Sequence, residues 1–140
     1  MADTLHDTLT TFYRAFSGDH ALLDRVVTPE WQDIPAAPGQ QPGPEGGAQV
    51  ISMMNAALDD LHITIHDVVD GRGPDGSGLV AVRAELTGVH TGELMGAVPT
   101  GRPVAFAIHE FHEVVDGVIR RTWHLEDWLG FFRQVGFPDV

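Results

Sequence analysis

"IHEFHEVVDGVIRRTWHLED", Ile108 to Asp127, reads as two β-strands folded back on each other about Asp116 and Gly117. Successive side chains on a strand point to opposite faces, so the register of this hairpin decides which titratable groups meet. A two-residue turn sets Val115 against Val118 and His124 against His109. A three-residue turn with a bulge sets Val114 against Val118, Glu110 against Thr122, and His124 against Ile108. Asp at the second turn position and Gly at a left-handed third suit the three-residue form, which is the expected one. One face then carries Phe106, Ile108, Glu110 and His112, facing Thr122, His124 and Glu126. Apolar residues interleaved with titratable ones describe a pocket wall better than a solvated face, although exposed His and Glu are also common on edge strands. A carboxylate beside an imidazole raises its pKa and orients it, so such a pair can take and return a proton near neutral pH.

Outward from the hairpin, the period changes along the chain. Leu5, Leu9, Phe12 and Phe16 fall on one helical stripe with Tyr13 beside them, and Gly18 is a stop. Asp19 is placed to cap a short second helix whose inner side is Leu22, Leu23 and Val26. "TPEWQDIP" is a brief strand or an extended turn, and "PAAPGQQPGPEGG" a long loop. A third helix is expected over residues 44–58, with Val50, Met53, Met54 and Ala57 inward. "LHITIHDVV" and "GLVAVRAELTGVH" alternate as strands across a Gly-rich loop. "TGELMGAVPTG" connects to the hairpin, and "WLGFFRQVG" is a helical turn or a tail. Helices first and an antiparallel meander afterwards predict an α+β domain over residues 1–140, its curved sheet wrapped around the N-terminal helices to leave a cone with an internal pocket.

Composition narrows the function. Twenty Asp+Glu against eight Lys+Arg give a net charge of −12, which opposes nucleic-acid backbones and anionic membranes. The absence of cysteine excludes disulfides, thiolate nucleophiles and zinc–sulfur sites. "HEFH" on a strand sends His109 and His112 to opposite faces, so they form no metal clamp, and no metal site is expected. "MADTLHDTLTTFYRAF" has neither a basic start nor a continuous apolar run, so a cytoplasmic protein is expected.

Four segments in order resemble the SnoaL-like polyketide cyclases, ester cyclases within the nuclear-transport-factor-like superfamily. They are the first helix through "TPEWQD", then "GVHTGELMGAVPTGRPV", "EVVDGVIRRTW" and "LEDWLGFFRQVG". The resemblance implies an α+β cone, a small polyketide-like substrate, no cofactor and a homodimer formed through the outer sheet face. It also places His124 where the family's acid–base aspartate stands, Glu110 where its assisting histidine stands, and Asp33 in place of a pocket asparagine. Asp127 and His90 match polar positions of the family directly. The implied chemistry is acid–base catalysis on a conjugated ketone or ester, an intramolecular aldol-type cyclisation, with His124 as base and acid and Glu110 as its orienter. Asp127 is either the working acid, if the strand end bulges, or the cap of the terminal helix. Asp33 and His90 are candidate substrate contacts, and Trp31, Phe106 and Trp123 candidate apolar walls. Met53 and Met54 are better explained as core packing. The same pocket would serve epoxide opening, pyran or lactone closure, isomerisation or assistance to hydroxylation, and a non-catalytic binding module is the remaining alternative.

Overall fold

The computed structural model describes residues 4–137. Helix α1, Thr4–Phe16, buries Leu5, Leu9, Phe12 and Tyr13 along one stripe, as their spacing requires. A 3-10 helix, His20–Arg25, follows. Asp19 does not cap it through its side chain; its backbone carbonyl accepts from Leu22 N at 3.0 Å instead. Strand β1, Val27–Ile34, is a full strand, and helix α2, Gly43–Ala57, begins after Pro42. Strands β2, Leu58–Arg72, β3, Gly78–His90, β4, Pro103–Val115, and β5, Val118–Glu126, form the meander. Helix α3, Trp128–Val135, closes the described chain.

The sheet order is β1-β5-β4-β3-β2, with β1 parallel to β5 and the other pairs antiparallel. This curved, open, mixed sheet packs its inner face on α1 and α2, giving the expected α+β cone. Alternation along β3 and β4 puts Val80, Val82, Ala84 and Leu86 of β3, and Phe106 and Ile108 of β4, into the core.

Two expectations about faces are corrected. The buried residues of α2 are Gly43, Gly46, Gly47, Ile51, Met54 and Ala57, so Met54 and Ala57 lie inward as expected and Val50 is half-buried, while Met53 is 48% exposed. The helix's close side is glycine: a Cβ on Gly47 would lie 2.3 Å from Leu23 Cδ2 and 2.9 Å from the Trp31 ring. An apolar-only count overlooks such a surface. The hairpin turn has two residues, Val115 pairing with Val118. Asp116 and Gly117 both have positive φ, 52° and 78°, as a twist-matched hairpin turn requires. A bulge then lets Glu113 face Arg121 and Val114 face Ile119, with Arg120 as the extra residue. Both arginines thereby reach Glu113, at 3.4 and 3.0 Å. Turn and bulge together set Glu110 directly opposite His124, and His112 opposite Thr122. The displacement from the expected register is two residues along the strand, so the same side chains keep the inner face.

Candidate active site

A cavity of about 320 Å³ lies between the sheet and helices α1 and α2. Its walls are largely apolar, with Phe12, Phe16, Leu61, Ile63, Ile108 and Trp128 among them, and its polar groups are Tyr13, Asp33, Gln40, Glu110, His124 and Glu126. Three of these come from the β4–β5 hairpin, Asp33 from the end of β1, and Tyr13 from α1.

His124 is held on both ring nitrogens. Nδ1 lies 2.7 Å from Glu126 Oε1, and Nε2 lies 2.7 Å from the Pro35 carbonyl and 3.5 Å from Asp33 Oδ1. With an oxygen acceptor at each nitrogen, both must carry hydrogen, so the ring is an imidazolium. Burial works against that charge, but the Glu126 hydrogen bond, the fields of Asp33 and Glu126 and the Pro35 carbonyl outweigh it and raise the pKa to about 9. The carboxylate that orients His124 is therefore Glu126, two residues along the same strand and on the same face, and not Glu110.

Glu110 has a different partner. The Tyr13 hydroxyl donates to its Oε1 at 2.6 Å. Burial lifts its pKa to about 7; the Tyr13 bond and the His124 charge pull down, and Glu126 and Asp33 push up. Asp33 is likewise raised by burial, while Gln40, donating to its Oδ2 at 3.0 Å, pulls the other way. His112, behind Tyr13, is fully enclosed, and burial drops its pKa to about 3, leaving it neutral. Its 3.8 Å approach to Glu110 is therefore not an ion pair.

The other residues singled out from the sequence lie elsewhere. Asp127 caps α3, its Oδ1 accepting from Gly130 N at 2.9 Å, and does not line the cavity. His90 is fully buried under the β3–β4 connection, with Nδ1 3.1 Å from Thr100 Oγ1 and its ring edge-on to Phe131. Phe106 is one layer back, against Trp128 and Phe131. Trp31 is buried beside the site and donates to Thr122 Oγ1 at 3.1 Å. Trp123 has odd parity in β5 and faces outward opposite Phe111, because a strand cannot turn neighbours His124 and Trp123 to one side. Met54 is buried core as expected, yet both Met53 and Met54 line the cavity. Two groups had been placed without a role: Glu126, already on the inner face, gains one from its period-two relation to His124, and Tyr13, beside the buried stripe, from a phenol hydroxyl that needs a partner. Trp128 carried no such signal. Among the described residues no group of three or more His, Asp or Glu is arranged to hold a metal ion.

The pattern of the family described as SnoaL-like polyketide cyclase matches residues 7–135. The chain belongs to that family. Among relatives of this SnoaL-like chain, aklanonic acid methyl ester cyclase DnrD of Streptomyces peucetius is 32% identical over 98 residues, 69% of this chain but only 63% of that protein. Nogalonic acid methyl ester cyclase of Streptomyces nogalater is 29% identical over 118 residues, 83% of this chain and 84% of the relative. Among solved structures, TsrD from Streptomyces laurentii superposes with a TM-score of 0.84 at 25% identity, covering 97% of both chains. IdmH from Streptomyces antibioticus gives 0.75 at 31% identity, over 94% of this chain and 98% of that one. The SnoaL-like cone expected from the sequence is thus found both in the structure and in its kinship.

Proposed function

We propose that this protein is a cofactor-free acid–base cyclase acting on a neutral, conjugated polyketide ester. The observation that carries the proposal is the pair Glu110 and His124, directly opposite one another on β4 and β5 and both lining an apolar cavity. Their roles are the reverse of those first expected. His124, with acceptors on both nitrogens, is the cation; Glu110, whose pKa sits near neutrality, is the base. Glu110 takes a proton α to a carbonyl, and the His124 charge stabilises the enolate. The enolate carbon attacks a ketone of the same molecule, and Glu110 returns its proton to the resulting alkoxide. Atoms and protons balance within the substrate, so no co-reactant is needed. The chain contains no lysine, so no side-chain imine is open to it for stabilising a carbanion.

Two features support an ester over a free acid. The relatives are named for methyl esters, and the cavity wall carries three acidic side chains against one imidazolium and no arginine. The test is incubation with aklanonic or nogalonic acid methyl ester and identification of the product by mass spectrometry and NMR. Ring closure without loss of mass, slowed at least about 10²-fold in E110Q, is expected. Binding with no turnover in the native protein would sink the enzymatic reading and leave a ligand-binding module. We infer also that a second copy covers the outer sheet face, where Phe111, Trp123 and Leu125 are 52%, 36% and 72% exposed. Light scattering is expected to return twice the chain mass, and a W123E variant half that value.

A further inference from the structure

Behind Glu110 runs a line of buried polar groups that does not touch the cavity until it reaches Tyr13. Trp31 Nε1 lies 3.1 Å from Thr122 Oγ1, Thr122 Oγ1 2.9 Å from His112 Nδ1, His112 Nε2 2.9 Å from the Tyr13 hydroxyl, and that hydroxyl 2.6 Å from Glu110 Oε1. Trp31, Thr122, His112 and Tyr13 are each at most 3% exposed, so no water supplies missing partners from bulk. Four elements, α1, β1, β4 and β5, converge to build it.

The direction of this chain follows from one side chain. An indole N–H can only donate, so Thr122 Oγ1 accepts from Trp31 and its own hydrogen must point elsewhere. The partner in reach is His112 Nδ1, which then has to be the bare nitrogen of a neutral ring. His112 Nε2 consequently carries the hydrogen and donates to the Tyr13 oxygen. The single Tyr13 proton is left to Glu110 Oε1. Running the chain backwards would aim both Trp31 N–H and His112 N–H at Thr122 and strand its hydroxyl hydrogen in the core, an arrangement buried polar groups avoid. No hydrogen bond among the described residues reaches Glu110 Oε2, and Glu110 lines the cavity.

We propose that Trp31, Thr122, His112 and Tyr13 are positioning residues forming a one-way hydrogen-bond chain that caps Glu110 Oε1 with a donor, leaving Oε2 as the oxygen that takes the substrate proton. The use made of Oε2 rests on Glu110 being the base, as above; the polarity of the chain does not. A fixed donor on Oε1 favours the ionised carboxylate and holds its plane. The other charged or titratable groups facing Glu110 are His124 and Glu126 of β5 and Asp33 of β1; its β3 neighbour, Val82, is apolar.

The first test uses the unaltered protein. Nitrogen-15 shifts of His112 are expected to report hydrogen on Nε2, and hydrogen on Nδ1 would overturn the assigned direction. The second follows the Glu110 carboxyl by carbon-13 NMR or infrared difference against E110Q, without any need for turnover. T122V frees His112 to take the other tautomer and draw the Tyr13 proton away, so the carboxyl is expected to titrate at least half a pH unit higher. About threefold less of it is then ionised on the acidic side. T122S, which keeps the hydroxyl, is expected to titrate as the native protein does, and W31F to shift in the direction of T122V. A purely structural role would lower the melting temperature of T122V and W31F but leave the carboxyl titration in place, and that result removes the proposal. If E110Q retains turnover while T122V still displaces the titration, the base assignment fails and the chain stands.

Discussion

Glu110 and His124 hold their protons more tightly than the same groups in water, for opposite physical reasons. For Glu110 the low-dielectric cavity wall penalises charge; for His124 neighbouring oxygens reward it, despite burial. The proposed mechanism needs Glu110 ionised, which grows in as pH rises through about 7, and His124 protonated, which fades as pH passes about 9. A bell-shaped kcat/KM profile with limbs near those values is expected, each limb belonging to the coupled pair. In E110Q turnover is expected to fall about 10²- to 10⁴-fold, the range for losing a general base; a profile with no acidic limb would count against Glu110. The same burial has a stability consequence. Unfolded, Glu110 ionises near 4.5; folded, near 7. Between those values the folded state holds the extra proton, so this group's contribution falls as pH rises from 4.5 to 7 and stays low above. E110Q is therefore expected to be the more stable protein at pH 8, by up to about 3 kcal/mol, and no more stable at pH 4, as urea melts at both pH values will register. Among single residues, Glu110 and His124 were marked by strand parity and by the family resemblance, and Asp33 by the resemblance alone; all three line the cavity. Their hydrogen-bond partners were not. Tyr13 meets Glu110 across 97 residues of chain, a contact that only packing of α1 on the sheet creates.

At the scale of elements, the strands and the first helix were readable from periodicity, because each buries one face against a common core. The register of the β4–β5 hairpin was not. Asp116-Gly117 is compatible with two turn lengths, and the Arg120 bulge that decides the cross-strand pairs is held by Glu113, a partner three residues before the turn. Helix α2 was read only in part: Met54 and Ala57 were placed inward, but the close contact at Gly47, against Leu23 and the Trp31 ring, carries no apolar side chain to announce it. That contact yields a prediction. Alanine ordinarily stabilises a helix interior over glycine by about 1 kcal/mol, yet in G47A the new methyl would press on Leu23 and on the buried Trp31 ring. Overpacking costs typically about 1–3 kcal/mol, so the net is a loss, since Trp31 is pinned by its bond to Thr122. A melting temperature several degrees below the native protein is expected by calorimetry. An unchanged or raised value would mean that α2 stands off from β1.

For the molecule as a whole, acidity and cavity chemistry point the same way. The acid excess was plain in the composition, but composition could not say where the eight arginines go. None lines the cavity, whose polar end sets Asp33, Glu110 and Glu126 around one imidazolium. A ligand carboxylate entering this space would lose its hydration and gain no guanidinium in return. A neutral ester of the same skeleton buries the same apolar area without that penalty. Calorimetric titration at pH 8 with a polyketide methyl ester and its free acid is therefore expected to favour the ester by at least about tenfold, or about 1.4 kcal/mol. Raising the salt from low to high should narrow the gap only slightly, because groups inside the cavity are screened far less than surface charges. Lowering the pH until the ligand acid is neutral should close most of it, since the two ligands then differ by little more than a methyl group. Equal affinity at pH 8 would mean that the His124 imidazolium, already ringed by three acidic side chains, still compensates a ligand carboxylate, and would undo the assignment of an ester substrate.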